Sequence, residues 1–339
     1  MQKPIIFVHF SDIYYLKYTL RCARRFNPYK RVILLGDTTN KHYEKIGIEH
    51  HFFDDYNDAE EMVLFNRVFR FIKGRDYSNE YKARFMFKRM IYMYLFARSQ
   101  SLRGFWTFDT DTLILTDLRT HEPTFDAYDY TEQCGGQCMN GLMNNLSSVK
   151  EYVDKVNELF QRDQFIEDMR QQTLKNPRKV LCDMDVYTAF KKEVSHHSVQ
   201  LKTFQRGTTF DHCIQSSDNM QMYPYTIRDK KSIKQIYARD DGELFTFHLP
   251  TRKFIQLNSI NMSFRMPSYI YRRILKYAYK KLSPKTSRPV ASSKPLQPIE
   301  LRENQFAVRC RKMAAKLRKY RLKLLYAVKG IKPDFPIPS

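Results

Sequence analysis

The sequence predicts an α/β protein built on a mostly parallel sheet. Two patterns carry that prediction. Apolar runs at residues 4–10 (PIIFVHF), 31–35 (RVILL) and 104–108 (GFWTF) have the length and content of buried strands. Helix-length segments lie between them, and strand–helix–strand–helix order implies parallel βαβ units. Size agrees, because 339 residues can bury a sizeable core without staples.

The elements follow in order. After the first strand, Ser11 or Asp12 can cap a helix over 12–26. The second strand ends at Gly36-Asp37, and a weaker third covers 48–53. Helices are expected over 59–72 and 81–97. The 104–108 strand runs into Asp109-Thr110-Asp111, and 112–115 (TLIL) resumes extended structure. Residues 149–160 read as a helix, and Asp183 as the N-cap of a helix through Lys192. Short strands are expected near 199–210 and 243–248. Ligands of such sheets bind at the carboxyl ends of the strands, where strand order switches.

Charge divides the chain. The formal net charge is +22, yet residues 265–332 alone hold 20 Lys or Arg against Glu300 and Glu303. Residues 1–265 are therefore read as one nearly balanced domain. A basic amphipathic helix at 266–282, a Pro/Ser linker at 283–300 and a C-terminal basic helix and tail at 301–339 follow. Arg272, Arg273, Lys276 and Lys280 share one helical arc, opposite Ile270, Ile274, Leu275 and Leu282. This pattern suits an anionic membrane surface met through 268–329. A helix packed on the main domain, or a homodimer seam in the C-terminal helix, is the alternative use of the tail.

Cysteines at 22, 134, 138, 182, 213 and 310 make no CxxC pair and have no zinc spacing. Scattered thiols suit a reducing compartment. The N-terminus lacks a signal-peptide pattern, and no run reaches the length of a spanning helix. The expected location is cytoplasmic, peripheral on the inner face of the membrane.

Asp109-Thr110-Asp111 is the sharpest chemical signal. On an extended segment, side chains two apart face one way, so both carboxylates can share a hard divalent cation, Mg²⁺ or Mn²⁺. Such an ion typically neutralises a nucleotide diphosphate as leaving group. Asp183-Met184-Asp185 is a second pair. It opens a helix, where acids serve as caps and first-turn charges, or else one carboxylate faces an acceptor. On helix 81–97, one of Arg84, Lys88 or Arg89 can reach a diphosphate or base. His248 is a candidate third metal ligand or phosphate contact, and Lys253 a phosphate neutraliser.

Taken together, these residues resemble glycosyltransferases of the GT-A type, and more closely the GT-A-like proteins of microbial polysaccharide and lipopolysaccharide loci. The resembling stretches are 85–95 (FMFKRMIYMYL), 104–118 (GFWTFDTDTLILTDL), 135–142 (GGQCMNGL), 181–190 (LCDMDVYTAF), 210–214 (FDHCI) and 245–253 (FTFHLPTRK). The resemblance implies a nucleotide-sugar donor, UDP-sugar favoured over GDP-sugar, with Mn²⁺ or Mg²⁺ at Asp109 and Asp111 and Thr110 beside the donor. His248 falls where several such families place a last metal or phosphate ligand before Gly-x-x-Lys, although the Gly is missing here. Asp183, with Asp185 beside it, matches the acid after the acceptor segment. His9, Phe10, Ser11, Asp12 and Asp37 match the usual uracil and ribose contacts. The implied acceptor is a glycan or a lipid-linked sugar.

Two rival functions follow from the same residues. A basic tail suits nucleic acid, but no RNA-binding signature or zinc spacing accompanies it, so no nucleic acid is expected. The carboxylates would also serve a metal-dependent nucleotidyltransferase.

Overall fold

The computed structural model describes residues 2–73, 79–176, 181–201, 208–210 and 256–261. A seven-stranded sheet forms its centre. Its strands are β1 (Ile5–Val8), β2 (Val32–Gly36), β3 (Glu49–Phe52), β4 (Phe105–Thr107), β6 (Tyr130–Gln133), β7 (Cys138–Met143) and β8 (Ser198–Gln200). The order is β3-β2-β1-β4-β7-β6-β8. β3, β2, β1 and β4 run parallel, and β7 pairs antiparallel with both β4 and β6. β8 runs parallel to β6, so only β7 is reversed. The expected mixed α/β class and mostly parallel sheet are both present.

The apolar runs are continuous because both faces of the sheet are covered. Ile6, Val8, Ile33, Leu35 and Phe105 point into a core shared with α2 (Glu60–Val68), α3 (Glu80–Ser99), α5 (Leu146–Gln161) and α7 (Asp183–Glu193). Ile5, Phe7, Val32, Leu34 and Trp106 point the other way, against α1 (Leu16–Phe26). Each such side chain fully removed from water contributes about 1.5–3 kcal/mol. Trp106 is fully buried and donates its indole N–H to Glu122 at 3.0 Å. Glu122 opens the short α4 (Glu122–Phe125).

Several boundaries differ from the sequence reading. α1 starts at Leu16 rather than at 12, because the Ser11 backbone and the Asp12 carboxylate are engaged elsewhere. The Ser11 N–H donates to Asp37 Oδ2 at 2.5 Å, and Asp12 Oδ1 accepts the Tyr43 hydroxyl at 2.7 Å. Ser11 sits at φ 67°, a left-handed conformation that stops a helix from beginning there. The second helix ends at Val68, short of 72. Asp109 to Asp111 is a turn rather than extended chain, with the Thr112 N–H on the Asp109 carbonyl at 2.8 Å. β5 (Thr112–Ile114) then leaves the main sheet and pairs antiparallel with β11 (Ser259–Asn261). The N-cap of α7 is Cys182, with Asp183 its first helical residue.

Sequence periodicity misses the β6–β7 hairpin and α6 (Asp163–Lys175). The hairpin buries Thr131, Glu132, Gln133 and Asn140, so no apolar alternation marks it. Gly141 within it has φ 98°, and a Cβ there would strike the Thr131 hydroxyl and the Leu201 side chain. Near the chain end of the sheet region, β9 (Thr208–Thr209) pairs in parallel with β10 (Gln256–Leu257).

Among the described residues, no helix is long and apolar enough to cross a membrane. Cys22, Cys134, Cys138 and Cys182 form no disulfide. The basic helices expected at 266–282 and 301–339, the 283–300 linker and the strand near 243–248 lie outside the described residues.

Candidate active site at the carboxyl end of the sheet

Three loops follow the carboxyl ends of β1, β2 and β4, where β4 is also the last of the parallel run. These are residues 9–12, 36–40 and 108–111. Asn40 binds the first two together. Its buried side chain donates to the carbonyls of His9 (3.0 Å) and Ser11 (3.3 Å). It also accepts the Asp37 N–H at 3.0 Å and meets His50 Nε2 of β3 at 2.8 Å. Gly36 is needed beside it, because a Cβ would overlap the Asn40 amide.

Asp37 and Asp12 stand at the mouth of this pair of loops. Burial alone would raise the Asp37 pKa, but hydrogen bonds from Thr39, Ser11 and Asn40 together bring it below the usual carboxylate value. Phe10 packs edge-on to Phe85 (4.7 Å between centroids) and Tyr81 (5.2 Å). Tyr81 is 55% exposed, and the Asp37 charge adds to burial in raising its hydroxyl pKa. An exposed aromatic thus lies beside a loop carboxylate.

His9 joins these loops to the Asp109–Asp111 turn. Its Nδ1 lies 2.9 Å from the Thr110 hydroxyl. Burial first, then the Arg89 charge, pull its pKa down to about 4, so the ring is neutral at pH 7. The Thr110 carbonyl accepts the Thr19 hydroxyl of α1 at 2.6 Å, which fixes the turn from the opposite side.

The two aspartates of the turn have different surroundings. Asp109, with a side chain 36% exposed, accepts Arg89 Nη1 at 2.7 Å. Asp111 is 1% exposed, and its charge adds to burial in raising the hydroxyl pKa values of Tyr14 and Tyr15. Arg89 also donates through Nη2 to Asp183 Oδ2 at 3.2 Å. One guanidinium therefore gathers carboxylates from β4's turn and from the first residue of α7. Burial raises the Asp183 pKa; Arg89 opposes that rise and Asp109 reinforces it.

A cleft opens around this trio. Val8, Thr107 and Phe108 line it from the sheet, Met86, Met90 and Met93 from α3, and Cys138, Met139 and Asn140 from β7. Tyr152 and Tyr187 close it from α5 and α7. The Tyr152 hydroxyl donates to the Asp183 carbonyl at 3.3 Å, and Tyr187 donates to the buried Glu132 at 2.5 Å. Glu132 also holds Lys191 of α7. Tyr187 and Lys191 thereby tie α7 to β6.

The remaining candidates separate cleanly. Asp185 accepts the Cys182 N–H at 3.1 Å, a capping-box role, and does not line the cleft. Arg84 pairs with Glu80 at 2.6 Å and covers the Phe69 ring, away from the cleft. Lys88, on the same helix, does not line the cleft either; burial first, then Arg84, lowers its pKa. His248 and Lys253 lie outside the described residues. Sequence reasoning does not reach Asn40, Tyr81 or Tyr152; an Asn three residues past a strand-end Asp is a turn signal.

Metal fit can be judged from donor chemistry. Among the described residues, no group of three or more His, Cys, Asp or Glu side chains is placed to hold an ion. Asp109, which lines the cleft, fits the mode in which Mg²⁺ takes one or two protein carboxylates and fills its shell with water and phosphate oxygens, whereas Asp111 on the same turn is buried and does not line the cleft.

No family model and no curated protein matches the chain. Among solved structures, mouse xyloside xylosyltransferase 1 in its apo form aligns with a TM-score of 0.39 at 10% identity, covering 59% of this chain and 85% of that one. The PaToxG glycosyltransferase aligns with a TM-score of 0.32 at 13% identity, covering 56% and 67%. Similarity this distant assigns no residue a role. What this chain itself presents is an α/β sheet with a carboxylate-bearing cleft at its strand ends.

Proposed function

We propose that this protein is a metal-dependent glycosyltransferase. It moves a sugar from a nucleotide-sugar, UDP-sugar favoured, to a glycan or lipid-linked acceptor in surface polysaccharide synthesis. One observation carries the reading: Asp109 and Asp183, distant in sequence, meet on Arg89 in a cleft at the carboxyl ends of the parallel strands. This is where α/β sheets bind their ligands.

The nucleoside half of the donor lies against residues 9–12 and 37, with Phe10 and Tyr81 offering aromatic surface to the base. Asp109 and Asp111 are the groups that would hold Mn²⁺ or Mg²⁺, and such an ion supplies charge stabilisation to the leaving diphosphate when bound. Thr110, held by His9, keeps the turn in register with the donor loops. Arg89 adds positive charge at the same place. The acceptor enters beside Cys138, Asn140 and Tyr187. In an inverting transfer, the acceptor oxygen bonds to the sugar carbon as its bond to the diphosphate breaks, and Asp183 takes the acceptor proton. In a retaining transfer, the leaving phosphate oxygen takes it instead. The basic segment 268–329 would hold the enzyme at an anionic cytoplasmic membrane surface, near lipid-linked acceptors.

A thermal-shift screen of nucleotide-sugars with Mn²⁺ tests the donor reading, since a bound ligand raises apparent stability by mass action. A rise of several degrees with one donor, dependent on Mn²⁺ and absent in Asp109→Ala, is expected. Turnover of a nucleoside triphosphate without any response to nucleotide-sugars would point to a nucleotidyltransferase instead.

A further inference from the structure

We propose that Arg89 is a built-in counter-cation, which occupies Asp109 and Asp183 before a donor arrives and is handed to the donor's diphosphate when a divalent ion claims Asp109. This rests on the donor reading above and extends it to the order of events at the site.

Three observations point this way. Both Nη atoms of Arg89 are committed to carboxylates, at 2.7 and 3.2 Å. Its Nε is buried and has no hydrogen-bond partner among the described residues. The guanidinium is thus held by the two acids and by no polar anchor on its own helix. Its neighbours in the cleft are Met86, Met90, Met93 and Met139, unbranched side chains that repack readily around a moving group.

Without Arg89, two carboxylates would face each other in a part-buried cleft, which is costly. With it, one of the two negative charges is balanced, but Asp109 is no longer a free anionic ligand. A metal ion must then compete with a fixed internal cation. A donor relieves that competition, because its diphosphate offers the guanidinium a bidentate partner of equal charge and better geometry. Metal alone should therefore bind weakly, and metal with nucleotide well. The arrangement favours joint arrival of donor and ion.

The test measures Mn²⁺ binding to the full chain by the electron paramagnetic resonance signal of free Mn²⁺, with and without UDP. In wild type, UDP should tighten Mn²⁺ binding. In Arg89→Gln, Mn²⁺ alone should bind about tenfold more tightly than to wild type, and UDP should add little. Arg89→Lys, which keeps one charge but cannot bridge, should fall between. Should Arg89→Gln not fold, the wild-type protein carries the test. Its Arg89 Nε–H resonance, assigned by its loss in Arg89→Lys, should shift when Mg²⁺ and UDP are added together. Wild type that binds Mn²⁺ with UDP, combined with Arg89→Gln that binds Mn²⁺ alone no better, overturns the counter-cation role and leaves the donor reading standing. An unmoved Arg89 resonance in Mg²⁺ and UDP has the same meaning. No Mn²⁺ uptake by wild type under any condition overturns the donor reading and this inference with it.

Discussion

The His9 imidazole and the Thr110 hydroxyl meet at 2.9 Å, joining the loop after β1 to the turn after β4. A neutral ring is required for this contact to sit beside Arg89. The folded pKa of about 4 lies below the ordinary 6.5, so the unfolded chain binds the proton more readily. Stability from this group is full above pH 6.5 and falls as pH drops towards 4, by up to about 3 kcal/mol. Urea midpoints measured from pH 7.5 to 4 should therefore fall more steeply for wild type than for His9→Asn. Parallel curves would show that His9 takes up its proton equally in the folded and unfolded states, so that folding does not lower its pKa.

Asn40 serves four backbone and side-chain partners at the loops after β1 and β2, where the proposed function seats the nucleoside. Replacing it by Ala leaves buried polar groups unpaired, at about 1–3 kcal/mol each way the loops fail to relax. Asn40→Ala should lower the melting temperature and also weaken UDP binding, and Asn40→Asp should do both more strongly, because it sets a carboxylate oxygen against the His9 and Ser11 carbonyls that the amide now serves. Calorimetry with UDP separates these. Wild-type UDP affinity in Asn40→Ala would remove the loops from the donor site.

The two acids of the 183–185 pair should behave differently. Asp185→Ala loses a capping interaction, costing about 0.5–2 kcal/mol of stability with turnover per folded molecule nearly unchanged. Asp183→Asn should retain the fold and lower turnover by about 100-fold or more if the transfer inverts. Donor-hydrolysis and transfer assays on both variants, each normalised to folded protein, provide the comparison. Equal losses of turnover would contradict the division of roles.

Glu132 accepts from Tyr187, Lys191, Ser198 and Gln200 while 3% exposed. Glu132→Gln introduces donors against donors and removes the charge paired with Lys191. A loss of about 3 kcal/mol is expected, read from chemical denaturation. The triple-positive φ turn at Cys134, Gly135 and Gly136 packs on this cluster, so hydrogen exchange there should quicken in the same variant.

Removing residues 266–339 should abolish pelleting with phosphatidylserine vesicles while leaving slow turnover of a soluble acceptor. Pelleting that survives the truncation would place membrane affinity in the remaining domain.

How far the sequence reveals this molecule varies by element. β1, β2 and β4 are legible because helices cover both faces of the sheet and leave an unbroken apolar run. The β6–β7 hairpin is not, because its buried Glu132 is satisfied by residues 55 to 68 positions away. Asp109 and Asp183 each stand out as acids in context. Their shared partner does not, since Arg84, Lys88 and Arg89 look alike on a helix until packing selects one. Ser11 and Asp12 mislead for a related reason: the Ser11 backbone is left-handed and its N–H bonds Asp37, while the Asp12 carboxylate takes the Tyr43 hydroxyl instead of a helix end.

The reversal of β7 beside β4 has a consequence for engineering. Residues at 9–12 and 36–40 belong to the parallel side of the seam, and those at 138–143 and 183–187 to the other. The two groups meet across the β4 turn, Arg89 and the one apolar core that α3 shares with both. A graft of loops onto one side must therefore keep the turn, the arginine and the α3 methionines in place. Under the proposed function, the nucleotide-facing and acceptor-facing loops could then be varied one at a time against a fixed seam.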